Sequence, residues 1–115
     1  MSDRALLEAA ARAVGKHHQM WAEPGELLAD KGGWVQFIGH GHASIWNPLT
    51  DDGDALRLAV KLDMTVDVDL EDGCTRILNK FDACLLRHMH HDGGPEAATR
   101  RAITRAAAAM GGNRE

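Results

Sequence analysis

The sequence predicts an α+β domain in which antiparallel strands are layered with amphipathic helices. Three observations predict it. Residues 51–62 carry apolar side chains at helical spacing behind an acidic start. Residues 64–70 alternate apolar and polar without a break, which is the period of a half-buried strand. Between Gly94-Pro95 and Gly111-Gly112 an alanine-rich stretch has breakers at both ends and none inside. A length of 115 residues suffices for one core and is too short for two, so residues 1–115 read as a single domain.

The elements follow in order. Ser2 can cap a first helix over about residues 3–14, where Leu6, Leu7, Ala10 and Val14 recur on one face and Gly15 ends the run. Residues 16–33 are less regular, with a short helical turn expected at Glu26-Leu27-Leu28-Ala29. From Trp34 to Trp46 the pattern suits a hairpin, or one bent strand, turning at Gly39-His40-Gly41. Pro48 has no backbone donor and ends the pairing.

The second helix starts at Thr50 or Asp51. Ala55, Leu58, Ala59 and Leu62 form its buried stripe, Leu56 and Val60 widen it, and Asp54, Arg57 and Lys61 line the wet face. Met64 to Leu70 is the clearest strand, and Asp72-Gly73 turns it into an antiparallel partner at Cys74–Asn79. A further strand near 83–89 fits, although Ala83-Cys84-Leu85-Leu86 also suits a helix. The last helix opens at Gly94-Pro95-Glu96 and closes at Gly111-Gly112, with Ile103, Ala106, Ala107 and Met110 inward. If the helices divide between both faces of the sheet, the result is an α-β-α sandwich; the pattern leaves one face or two open.

Composition narrows the functional classes. Apolar residues make up 44% and charged residues 26%, an ordinary balance for a globular protein. A net charge of −4 supplies no basic field for nucleic acid or an anionic membrane surface, and neither is expected as a partner. Protonating all seven His takes the charge to +3, so acidification changes the surface. No window reaches the roughly 18 apolar residues of a membrane span, and Met1-Ser2-Asp3-Arg4 reads as a helix start, not a signal peptide. Cys74 and Cys84 are too few for a disulfide framework and suit a cytosolic chain.

Trp46-Asn47-Pro48-Leu49-Thr50-Asp51-Asp52-Gly53-Asp54-Ala55-Leu56-Arg57-Leu58-Ala59-Val60 is the most informative run. It places an aromatic and an amide at a turn before an acidic helix start. One reading has Trp46 stacking on a planar ligand, Asn47 and the helix-start amides holding a polar group, and Arg57 adding a phosphate contact. Asp51, Asp52 and Asp54 would repel a phosphate and read as capping, so a structural role is the stronger reading of the run.

This run, as far as about Leu62, resembles the signature of the phage ABA-sandwich family, small proteins of tailed phages and prophages. Pro95-Glu96-Ala97-Ala98-Thr99-Arg100-Arg101-Ala102-Ile103, with its trailing alanines, resembles it more loosely, while the first 45 residues and the histidine loops depart from it. The resemblance implies helices on both sheet faces and a phage-encoded accessory protein working in the host cytoplasm. By analogy with small phage proteins generally, it implies an anti-defence role, by blocking a host protein or sequestering a nucleotide signal.

Other candidate chemistry is sparser. His40 and His42 flank Gly41, and His88, His90 and His91 follow Cys84; a His-x-His pair on a strand faces one side, and zinc would suit such ligands. No Cys-x-x-Cys or His-Glu-x-x-His accompanies them, and a histidine-rich loop is the plainer reading. Ser2, Ser44 and both cysteines lie in no nucleophile motif, Cys84 near His88 being a weak pair. Asp67 and Asp69 share one strand face, where a solvated pair is commoner than an acid/base pair. Arg100, Arg101 and Arg105 form a basic patch that Glu96 partly neutralises.

The expectation is therefore a non-enzymatic binding module, without a cofactor and homo-oligomeric. Its ligand would be nucleotide-like, contacted by Trp46, Asn47 and Arg57, with Arg100 and Arg101 at a subunit boundary. The alternative is a protein–protein inhibitor of a host defence complex, and the third reading is a metal-dependent enzyme using the histidines.

Overall fold

A computed structural model describes residues 2–15, 20–25, 31–39, 42–90 and 93–112. Among them the order is α1 (Asp3–Ala13), β1 (Met20–Ala22), β2 (Gly33–Gly39), β3 (His42–Trp46), α2 (Asp52–Lys61), β4 (Thr65–Asp69), β5 (Cys74–Leu78), β6 (Cys84–Met89) and α3 (Gly94–Gly112). The fold is α+β, with antiparallel sheets and helices packed against them. The turn expected at Glu26–Ala29 lies outside the described residues.

The strands form two three-stranded sheets, β1-β2-β3 and β4-β5-β6. Each sheet is built by local antiparallel connections, and α2 separates β3 from β4, leaving both as edges. β2 pairs with β3 and β4 with β5 as the sequence predicts, while His40 and Gly41 of the expected hairpin turn lie outside the described residues. The run at 83–89 resolves to a strand because it pairs with β5, Ile77 facing Leu86. β1 was not legible in the sequence: three residues carry no alternation to detect, and pairing Trp21 with Trp34 is what defines it.

α1 starts where its cap predicts, the Ser2 hydroxyl oxygen accepting the Ala5 backbone N–H at 3.1 Å. Replacing Ser2 by alanine is expected to remove about 1 kcal/mol of stability, seen as a melting point lower by several degrees in circular dichroism. Leu6, Leu7, Ala9, Ala10, Ala11 and Ala13 are all buried, since α1 lies between α3 and β2. Trp21 meets Trp34 edge to face at 5.1 Å, and the Arg4 guanidinium stands 5.4 and 5.6 Å from the two ring centres.

The main core draws on every layer: Leu7, Trp34, Trp46, Leu58, Ile77 and Ile103 belong to one cluster. α3 covers one face of β4-β5-β6, and Thr75 and Thr99 join oxygen to oxygen across that contact at 2.8 Å. On the opposite face Asp67 and Arg76 pair at 2.7 Å while remaining solvent-accessible. α3 closes at Gly111-Gly112 as expected, and a Cβ on Gly111 would collide with the Ala9 carbonyl, so this glycine also permits close helix packing. Two details of the helices differ from expectation. Asp54 is buried rather than on the wet face. Leu56 and Val60 are 63% and 72% exposed and do not widen the core stripe, because α2 packs on α3 through its Ala55-Leu58-Ala59 side.

Candidate functional site

The turn between β3 and α2 gathers most of the residues expected to bind a ligand, and it uses them internally. Trp46 is the last residue of β3 and pairs with Trp34, which puts both indoles into the core. Asn47, only 5% exposed, is the hub. Its side-chain amide donates to the Gly32 carbonyl at 2.9 Å, and its side-chain oxygen accepts the Leu49 backbone N–H at 3.0 Å. Its own backbone N–H donates to the Asp54 carboxylate at 2.9 Å. The Thr50 and Asp51 backbone N–H groups both donate to the Asn47 carbonyl, at 3.1 and 2.9 Å.

The acidic stretch completes this knot. Asp51 caps α2 by accepting the Asp54 backbone N–H at 2.8 Å. Asp54 accepts from the Arg57 guanidinium at 2.7 Å, and Asp51 lies 3.8 Å from the same group. A Cβ on Gly53 would come within about 3.1–3.2 Å of the Arg57 guanidinium and the Asp51 carboxylate. Arg57 therefore compensates the carboxylate that Asn47 needs.

The three α3 arginines go to different places. Arg100 donates to the Leu49 carbonyl at 2.9 Å and pairs with Asp52 at 2.7 Å, tying α3 to the same turn. Arg101 pairs with Asp3 of α1 at 3.0 Å and stays apart from the knot. Arg105 lies 2.9 Å from His88 Nδ1, so each arginine of the expected basic patch goes to different partners.

The histidine readings divide likewise. His90 sits 2.7 Å from the Thr75 hydroxyl and closes the end of β5. His17, His18, His40 and His91 lie outside the described residues, as does the side chain of His42. No group of three metal-ligating side chains occurs among the described residues. Cys74 is buried; Cys84 is exposed, its thiol 3.5 Å from the Leu86 carbonyl. Asp67 and Asp69 flank Arg76 at 2.7 and 3.8 Å, and the Asp72 backbone N–H holds the Asp69 carboxyl below its ordinary range.

Among the described residues a groove of about 470 Å³ lies open between α2, α3 and β4. Thr99 and Ile103 of α3 line it together with Ala55 and Leu56 of α2 and with Val66, Val68 and Leu70 from β4 and its end. The Asp52–Arg100 pair and the exposed Glu96 supply its charge. Val68 is 43% exposed and Leu70 71%, although their strand face carries the core residue Val66. Of the expected site residues only Arg100 belongs to this groove. Leu56 and Leu70 were missed as site residues. The one signal for Leu56 is a second apolar pair, Leu56 and Val60 at i, i+4, beyond the stripe that the helix needs for its core; for Leu70 the alternation of residues 64–70 gives no sign of exposure.

No protein-family model, curated protein or solved structure matches this chain.

Proposed function

We propose that this protein is a non-enzymatic binding module whose working surface is the groove between α2, α3 and β4, and whose target is another protein. The observation that carries the reading is the grouping of exposed Leu56, Val68 and Leu70 around one cleft. Apolar side chains held open beside a few charges suit a protein segment better than a nucleotide. In the host-cytoplasm setting that the phage resemblance implies, such a module would act by blocking a host defence protein.

The geometry lends less to nucleotide sequestration. Trp46 is in the core, the Asn47 amide is committed to Gly32, and Arg57 is bound to two carboxylates. A phosphate at that turn would meet Asp51, Asp52 and Asp54.

The test compares wild-type protein with Leu70→Asp and Leu56→Asp in capture from infected-cell lysate, followed by titration of the captured protein in purified form. Both positions are exposed, so melting points should move by less than about 2–4 °C, equivalent to roughly 0.5 kcal/mol. Affinity should fall at least tenfold, which corresponds to about 1.4 kcal/mol. Equal affinity of both variants and wild type removes the groove as the site. A nucleotide released by heating the lysate-exposed protein, and lost in Arg57→Ala, would replace the reading with sequestration.

A further inference from the structure

We propose that the groove's occupant is an extended segment of another protein that adds to the open edge of β4 as a further strand, apolar on one face and basic on the other. This rests on the binding-module reading above and specifies its partner.

Three observations lead to it. First, β4 is an edge: among the described residues it pairs with β5 on one side only, from Thr65↔Leu78 to Asp69↔Cys74. An edge strand presents unpaired backbone donors and acceptors, the element to which extended peptides add. Second, the groove runs between that strand and α2. Val66 and Val68 of β4, with Leu70 just beyond it, form one wall, and Ala55 and Leu56 form the other. A strand laid against β4 would place alternate side chains among these groups and cover Val68 and Leu70, which this fold leaves exposed. Third, the other face of β4 is acidic. Asp67 and Asp69 share a single arginine, Arg76, and Glu71 follows Leu70 on the exposed turn.

Charge complementarity selects among occupants. In a sheet, opposite charges on neighbouring strands stabilise and like charges destabilise. A basic residue opposite Asp67 or Asp69 fits. A second copy aligned through its own β4 about Val68 would instead set Asp67 against Asp69 of the other copy, with Arg76 the one cation paired to them in each chain and Arg87 a strand further from the new seam. The exposed Glu96 at the groove favours a basic flank as well. The occupant is therefore a foreign strand with alternating apolar and Lys/Arg residues.

The experiment uses the full chain and a labelled nine-residue peptide alternating Lys with Val or Leu. Its comparators are a Glu-alternating peptide, a copy N-methylated along one edge, and a scramble with its lysines clustered. Anisotropy titrations should give binding for the Lys-alternating peptide and at least tenfold weaker binding for each comparator. Bound peptide should slow amide exchange within residues 65–69, and Leu70→Asp should weaken binding about tenfold or more. Equal binding of the Glu-alternating or clustered peptide overturns the proposal, as does protection that avoids β4. A dimer by light scattering with β4 amides already protected overturns it too, by making a second copy the occupant. If the peptide fails while Leu70→Asp still abolishes capture of the lysate target, strand addition is wrong and the binding-module reading stands. If Leu70→Asp and Leu56→Asp both leave that capture intact, the reading of the groove as the module's working surface itself falls.

Discussion

Replacing Asn47 by alanine is expected to lower stability by about 2–4 kcal/mol, a large share of the roughly 5–15 kcal/mol that holds a domain together. The side chain satisfies two backbone groups at once, the Gly32 carbonyl and the Leu49 N–H. Gly32 precedes β2 and Leu49 precedes α2, so the amide fixes two chain segments against each other. Truncation leaves both partners short of a bond in a site that water reaches poorly, and each such loss costs about 1–3 kcal/mol. Asn47→Asp is expected to do no better. It keeps the acceptor for Leu49 but loses the donor to Gly32, and it buries a second carboxylate beside Asp54. Urea unfolding measures the difference. A loss below about 0.5 kcal/mol for Asn47→Ala would mean that the hub does not carry the turn, and would return Asn47 to the ligand-binding role that its position also suggests.

That double reading shows where a sequence of this kind stops being legible. Periodicity found the cap at Ser2, the hairpin, the Ala55-Leu58-Ala59 stripe and β4, since each is a local pattern imposed by a local geometry. It did not find that Asp54 turns inward, because on a helical wheel an acid one turn from Arg57 looks like a solvated pair. The deciding contact comes from Asn47, seven residues upstream and outside the helix. Gly111 has a second role that was hidden for the same reason. As local punctuation it closes α3, as expected, while its neighbour across the seam, the Ala9 backbone of α1, lies about a hundred residues away in the chain and makes it a packing residue as well.

The groove was hidden by a different assumption. Helical spacing places Leu56 and Val60 beside the core stripe, yet α2 rests on α3 through its narrow Ala55-Leu58-Ala59 face and leaves them outside. The same narrow contact leaves Leu56 on the wall of the groove.

Tight alanine packing also sets the second large effect. Ala107→Leu is expected to cost about 3 kcal/mol, at the upper end of overpacking effects, and to lower the melting point by roughly 10–20 °C. Ala107 is fully buried and shares its cluster with Leu7, Ala10 and Ala11 of α1. Leucine forms helices nearly as well as alanine, so the loss reports packing rather than helix propensity. Ala109, two residues on in the same helix, is exposed and supplies the control: Ala109→Leu should change stability by less than about 0.5 kcal/mol. Because α3 carries Thr99, Arg100 and Ile103 to the groove, forcing α1 away from α3 should also disturb the floor on which a partner rests. Thermal melts of the two variants side by side decide it. Equal shifts would show that the α1–α3 seam tolerates bulk, and that the alanines are there for their helix propensity alone.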